Sequence, residues 1–279
     1  MERTSIVLGG IALPSSIMNA SGPRSAERGE IYELSAVHAG ALVFKSCNVA
    51  GLEAPDNLKN RGVEHFAAIA RELVSRGKKI VGSIVGASEE EFVEVARALD
   101  RAGVAILELN LADDYVAGSL APFASADRLK SLIGKVRAAA GCVLAVKVPP
   151  KSPLDARVTA GLLKDAGVAI AVCQNDLPKD LEIDVASGAV KGGARALSQA
   201  HAMYRESGGA LDIVAVGGIN TGRDAYIAHL TGAKALQVGS ALIKEGAGAL
   251  GRIDRELDAL MAEQGKHSLS EIIGKAAFA

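Results

Sequence analysis

Apolar runs of five to seven residues recur along the chain, separated by longer stretches whose apolar residues fall at three- and four-residue steps. The first pattern is that of strands buried on both faces, the second that of amphipathic helices. Strands are predicted in IMNASG from 17, AGALVFKS from 39, KKIVGSIVG from 78, AGVAILELN from 102, CVLAVKVPP from 142, AGVAIAVCQN from 166, LDIVAVGG from 211 and GAKALQVGS from 232. Helices are predicted in AERGEIYELSAVHA from 26, VEHFAAIARELVSR from 63, SEEEFVEVARALDRA from 88, SADRLKSLIGKVRAAA from 125, ARVTAGLLKDA from 156, RALSQAHAMYRE from 195 and TGRDAYIAHL from 221. Several of these open on Ser, Thr or Asp, the residues that cap a helix start.

The alternation is a repeat. Gly40, Gly103, Gly167 and Gly232 each precede a strand and are spaced by 63, 64 and 65 residues, with Gly77, Gly141 and Gly208 before the strands between them. One strand thus comes about every 32 residues, the size of a βα unit. Glycine suits a helix C-terminus because it reaches positive φ without a steric penalty. Eight such units predict a closed (β/α)8 TIM barrel forming a single domain over residues 1–279. TSIVLGGIALP at 4–14 reads as an N-terminal hairpin capping the mouth at the strand N-termini, and LGRIDRELDALMAEQG from 250 as a closing helix.

Composition narrows the function. The chain has 279 residues, 49% of them hydrophobic, and a net charge of −1. Its basic residues form only short pairs such as Lys78-Lys79, so neither nucleic acid nor an anionic membrane surface is an expected partner. The N-terminal segment has no apolar run of the length a membrane span needs, which predicts a cytoplasmic protein. Cys47, Cys142 and Cys173 lack C-x-x-C spacing and read as reduced, buried strand residues. The five histidines, His38, His65, His201, His229 and His267, lie in helical or near-terminal segments, so no metal centre is expected.

Chemistry in such a barrel belongs to the C-terminal ends of the strands. Those ends carry Asn19 to Gly22, Lys45-Ser46, Gly86, Asn110 to Asp113, Lys147, Asn175-Asp176, Gly217-Gly218 and Gly239-Ser240. The glycines in VAVGGINTG and AKALQVGSAL free backbone N–H groups to close around a phosphate. Lys45 and Lys147 each place a cation at a partly desolvated rim, which favours an anionic cofactor, and Asn110 and Asn175 supply amides suited to a planar heterocycle.

NASG at 19, FKS at 44, ELNL at 108, VKVPP at 146, QND at 174, KGGAR at 191, VGGINTGRDA at 216, QVGSALIKEG at 237 and RIDREL at 252 occur in one order along nearly the whole chain. In that ordered set the chain resembles the dihydroorotate dehydrogenase family of FMN-dependent barrels, nearest its soluble class. The resemblance implies FMN as cofactor. Ala20, Ser21, Lys45, Ser46, Asn110 and Lys147 would contact the flavin ring and ribityl chain, and Gly193, Gly217, Gly218, Gly239 and Ser240 would hold the phosphate. Lys147 is the candidate for stabilising the anionic reduced ring. Barrels of this kind commonly pair, so a homodimer is expected, with 63–75 and 194–207 as candidate faces.

The substrate half departs from the family. After the fourth strand, the soluble class reads Asn-Leu-Ser-Cys-Pro-Asn, whose cysteine removes the C5 proton of dihydroorotate. This chain reads Asn110-Leu111-Ala112-Asp113-Asp114-Tyr115. Ala54 and Asn57 replace an asparagine and a glycine in the loop after the second strand, where Leu58 is kept, and Asp176 replaces a serine after the retained Asn175. Asp113, Lys45 and Tyr115 are therefore the candidate catalytic residues, and Asn57, Leu58, Asn110, Asn175 and Asp176 the candidate substrate contacts. The expected activity is an FMN-dependent oxidation or reduction of a CH–CH or CH–NH bond in a small polar, cyclic molecule other than dihydroorotate. The alternatives are a divergent dihydroorotate dehydrogenase with Asp113 in the cysteine's place, a flavin-free phosphate-binding lyase or isomerase using Lys45 or Lys147, and a flavin-binding protein without catalysis.

Overall fold

The computed structural model describes residues 3–52, 59–113, 116, 118, 120–177, 182–191 and 198–278. A hairpin of β1 (Ile6–Leu8) and β2 (Ile11–Leu13) comes first. Eight parallel strands then form one sheet: β3 (Ile17–Asn19), β4 (Leu42–Val43), β5 (Ile80–Ile84), β6 (Ile106–Asn110), β7 (Val143–Lys147), β8 (Ile170–Gln174), β11 (Asp212–Val216) and β12 (Ala235–Val238). Their spatial order is β3, β12, β11, β8, β7, β6, β5, β4, the circular order of a (β/α)8 barrel. Every residue of β5 and β6 is buried, as expected for strands with a packed interior on one face and helices on the other.

The seam between β3 and β4 is closed by a side chain. Asn19 Nδ2 donates to the Val43 carbonyl at 2.6 Å, and its Oδ1 accepts from the Val43 N–H at 2.9 Å. The carboxamide thus reproduces a pair of ladder bonds where the two strands are too short to make them. Beside this seam Gly40 is required by space. A Cβ there would come within 2.1 Å of the Ser15 carbonyl oxygen.

Eight helices follow the predicted stretches: α1 (Arg28–Ala36), α2 (Val63–Ser75), α3 (Glu89–Arg101), α4 (Ala126–Ala139), α5 (Ala156–Asp165), α6 (Gln199–Ser207), α7 (Gly222–Leu230) and, after a short unpredicted α8 (Ser240–Glu245), α9 (Gly248–Glu263). Five of them are capped by a Ser, Thr or Asp side chain, three of these, Ser88, Ser125 and Thr221, at the first residue of the predicted stretch. Ser88, Ser125, Asp155, Ser198 and Thr221 accept from amides three residues on at 3.2, 3.3, 2.8, 3.1 and 3.1 Å. Each such cap contributes about 1 kcal/mol. Ser198 also moves the start of α6 to Gln199, later than the predicted stretch from 195.

Positive φ is found at Gly77, Gly103, Gly167, Gly208 and Gly232, as predicted for helix ends, but not at Gly40 or Gly141. The hairpin does plug the N-terminal mouth. At its tip Gly9 lies against Val143 and Ile170 at the starts of β7 and β8, and its N–H donates to Asp212 Oδ2 at 2.8 Å. A further, unpredicted sheet of three strands joins β9 (Glu182–Ile183), β10 (Ala189–Lys191) and β13 (Ala277–Phe278), with β13 parallel and β9 antiparallel to β10.

One buried histidine ties the fold to pH. His229 on α7 is fully buried, with Nδ1 2.8 Å from the Ala233 carbonyl and Nε2 3.0 Å from Ser16 Oγ. The neutral ring that donates from Nδ1 and accepts at Nε2 satisfies both. Burial pushes its pKa down to about 4 from an ordinary 6.5, against the pull of the Ala233 hydrogen bond. Below pH 6.5 the unfolded chain therefore takes up a proton that the folded chain refuses. Stability is expected to fall by about 3 kcal/mol as pH drops from about 6.5 to about 4. Urea denaturation midpoints over that window check this, with His229→Gln expected to flatten the slope.

Candidate active site at the strand ends

The C-terminal ends of the eight strands gather the predicted residues. Beyond β4 the chain runs along the barrel top. The Lys45 N–H donates to the Ser25 carbonyl at 2.9 Å, Ser46 N–H to the Ser21 carbonyl at 3.4 Å and Cys47 N–H to the Ser83 carbonyl at 3.1 Å. These bonds bring Ser21, Lys45 and Ser46 together. Lys147 closes β7 opposite Asn110 in register, and its Nζ lies 3.4 Å from Ser21 Oγ. Asn110 Nδ2 donates to Ser46 Oγ at 2.9 Å. Ala20 is buried at the end of β3, with its Cβ 3.9 Å from where a side chain on Gly239 would begin.

Two cations share this rim. Lys45 is 8% exposed, and desolvation pushes its ammonium below the ordinary lysine range. Asp113 pulls it back up, and Lys147 pushes it further down. Those effects put Lys45, Lys147 and the half-buried Asp113 in one electrostatic cluster at the ends of β4, β7 and β6. A carboxylate and an amine in such a cluster can exchange a proton with a ligand, and a buried and a half-buried cation together favour an anionic one.

On the opposite arc the backbone supplies donors. Gly217 and Gly218 have φ of +99° and +72°, a conformation in which successive backbone N–H groups can converge on an anion. A Cβ at Gly218 would stand 3.2 Å from the Asn175 carbonyl, so the turn passes close to the end of β8. Ser240 is exposed, and its hydroxyl donates to Asn220 Oδ1 at 3.0 Å.

Buried polar atoms test whether a flavin fits. Asn110 Oδ1 and Asn175 Oδ1 are buried, with no hydrogen-bond partner among the described residues. Asn175 Nδ2 is spent on the Gly217 carbonyl at 3.2 Å. Unpartnered buried oxygens call for a donor, and the ring N–H of a flavin is one. Two lysines and the glycine turns after β11 and β12 match its reduced ring and its phosphate. The residues present fit FMN.

Not every candidate joins the cluster. Asp176 is exposed, and its carboxylate accepts from the Gln199 N–H at 3.4 Å, at the start of α6. Tyr115, Gly193, Asn57 and Leu58 lie outside the described residues, as do Ala54 and Asp114. Two contributors escaped the sequence reading. Asn48 is buried beyond β4, with its Oδ1 lacking a donor among the described residues. Gln199 bridges strand ends, its Oε1 accepting from Gln174 N–H at 2.9 Å and its Nε2 donating to the Pro149 carbonyl at 2.6 Å. Both are uncharged residues whose roles depend on distant partners.

Elsewhere, a cleft of about 750 Å³ is lined by Arg3, His38, Asp254, Arg255, Asp258 and His267. Its two carboxylates are already engaged, Asp258 by Arg3 at 3.0 Å and Asp254 by Ser15 at 2.5 Å. No helix among the described residues is long and apolar enough to cross a membrane.

Comparison with known proteins identifies the family. Residues 56–261 match the family described as dihydroorotate dehydrogenase. The chain is 27% identical to a "Putative dihydroorotate dehydrogenase A (fumarate)" of Streptococcus equi, over 99% of this chain and 98% of that protein. It is 30% identical to the "Dihydroorotate dehydrogenase (fumarate)" of Trypanosoma cruzi, over 92% of this chain and 93% of the relative. Among solved structures, ligand-free DHODH from Eimeria tenella superposes with a TM-score of 0.77 at 19% identity, covering 99% of this chain and 92% of that one, which bears on the fold alone. The chain belongs to the dihydroorotate dehydrogenase family of FMN-dependent oxidoreductases.

Proposed function

We propose that the chain catalyses FMN-dependent oxidation or reduction of a CH–CH or CH–NH bond in a small polar, cyclic substrate other than dihydroorotate. The observation that carries this is a carboxylate at the end of β6, beside a desolvated lysine, with no reactive thiol near it. Cys47 and Cys173 are buried completely, and burial pushes their thiols far above the ordinary range. Cys142 is pushed up to about 12 by burial and by Asp100. A thiolate base is therefore not at hand among the described residues.

FMN, when bound, supplies a ring that accepts or donates the hydride. The chain supplies the rest. Lys45, Lys147, Ser21 and Asn110 hold and polarise the ring, and the amides of Gly217, Gly218 and Gly239 take the phosphate. Asp113 takes the proton from the carbon or nitrogen next to the one that loses hydride, so that one C–C or C–N double bond forms as hydride and proton leave. In the reducing direction the same carboxyl returns it. Negative charge at Asp113 disfavours a substrate carboxylate beside it, which speaks against dihydroorotate.

A second reading is favoured by the family match and by relatives whose names specify dihydroorotate. In it the chain is a divergent dihydroorotate dehydrogenase with Asp113 in the cysteine's role. Anaerobic mixing of the yellow protein with dihydroorotate separates the two. The first reading predicts that the flavin colour persists, and that a dihydropyrimidine without the carboxylate bleaches it or a cyclic imine restores the colour of the photoreduced protein. Rapid bleaching by dihydroorotate establishes the second. Family membership leaves no place for the flavin-free lyase or isomerase.

A further inference from the structure

Glu108 lies on β6 inside the barrel, fully buried, two residues before Asn110, and the chemistry above makes no use of it. A buried carboxylate is costly unless donors meet it. Glu108 accepts from Gln237 Nε2 at 2.6 Å, reaching from β12, and from Ser83 Oγ at 3.0 Å, on β5. The chain of bonds continues outward. Ser83 Oγ and Ser46 Oγ are 2.9 Å apart, and Asn110 Nδ2 is 2.9 Å from Ser46 Oγ.

Each hydroxyl carries one proton, so a fixed end sets the direction of every bond in this chain. A carboxylate only accepts. Ser83 therefore donates to Glu108 and must accept from Ser46, and Ser46, its proton spent, must accept from Asn110. The side-chain amide of Asn110 is thereby turned with its nitrogen toward Ser46 and its oxygen away from it. That oxygen is the buried one with no partner among the described residues. An asparagine amide is ordinarily ambiguous between its two orientations; here the carboxylate removes the choice.

We propose that Glu108 is a positioning residue for the cofactor: through Ser83 and Ser46 it holds Asn110 as an acceptor for a ring N–H of FMN. The inference rests on the reading of the strand-end rim as the flavin seat. Its signature is polarity rather than shape. Glu108→Gln keeps the volume but offers a donor as well as an acceptor, so the chain runs in either direction and Asn110 turns over. Ser83→Ala cuts the chain and leaves the carboxylate in place. Gln237→Met removes the other hydrogen bond to Glu108 and leaves the chain whole.

The test is FMN titration of the three apoproteins by fluorescence quenching, together with the visible spectrum of each loaded form and its thermal midpoint. Glu108→Gln and Ser83→Ala are expected to raise the Kd for FMN about 10-fold and to shift the long-wavelength flavin band. Gln237→Met is expected to lower the thermal midpoint while keeping Kd within about two-fold of the parent protein and leaving the band unmoved. Folded Glu108→Gln or Ser83→Ala with the parent's Kd and spectrum overturns the positioning role, as does Gln237→Met with the same Kd and spectral changes. A parent protein that takes up no FMN overturns the flavin seat itself, and this role with it.

Discussion

Lys147→Ala is expected to purify with little yellow colour and to bind added FMN about 10- to 100-fold more weakly than the parent protein. The ammonium sits half-buried at the end of β7, 3.4 Å from Ser21 Oγ and in register with Asn110. A charge-assisted hydrogen bond at such a place is worth about 1.5–3 kcal/mol, and that energy sets the fold-change. Lys147→Arg is not a neutral control, because the planar fork needs more room than a point charge. Cofactor content after purification and a fluorescence titration of the apoprotein measure the loss. FMN content equal to the parent's would take Lys147 out of the flavin site.

Asp113→Asn is expected to do the opposite: to retain FMN and lose turnover by about 10²- to 10⁴-fold, the range a general acid or base supplies. The substitution keeps size and hydrogen bonding but removes the basic site. It also removes the charge that pulls Lys45 upward. With Asp113 neutral, desolvation and Lys147 act on Lys45 unopposed, so its ammonium loses its proton at lower pH. The alkaline limb of the residual activity should therefore move to lower pH. Both effects are read from steady-state rates across pH once a substrate is in hand. An unchanged rate would remove Asp113 from the mechanism.

The barrel was legible because its signals are local. Apolar runs such as IVGSI and ILELN fill both faces of β5 and β6, and Ser88, Ser125 and Thr221 announce helix starts within three residues of the amides they cap. The strand-end rule then placed Lys45, Lys147, Asn110 and Gly217 at one rim, because in a closed parallel barrel each strand delivers its last residues to the same end. What escaped depends on pairing across long separations. The strands β9, β10 and β13 have two or three residues each, too few for a period, and β10 finds β13 at the other end of the chain. Glu108 is visible in the sequence as an acid inside an apolar run, but Gln237 and Ser83, which make it tolerable, belong to other strands. Asn19 likewise reads as part of a flavin motif, whereas its side chain is bound to the Val43 backbone.

FMN lying across the strand ends is the premise of every role assigned above. A crystal structure of the protein saturated with FMN tests this most directly. The expected result is the phosphate on the amides of Gly217, Gly218 and Gly239, with the ring beside Lys45, Lys147 and Asn110. FMN bound elsewhere, for instance in the cleft beside Arg3 and Arg255, with the strand ends bare, would contradict it.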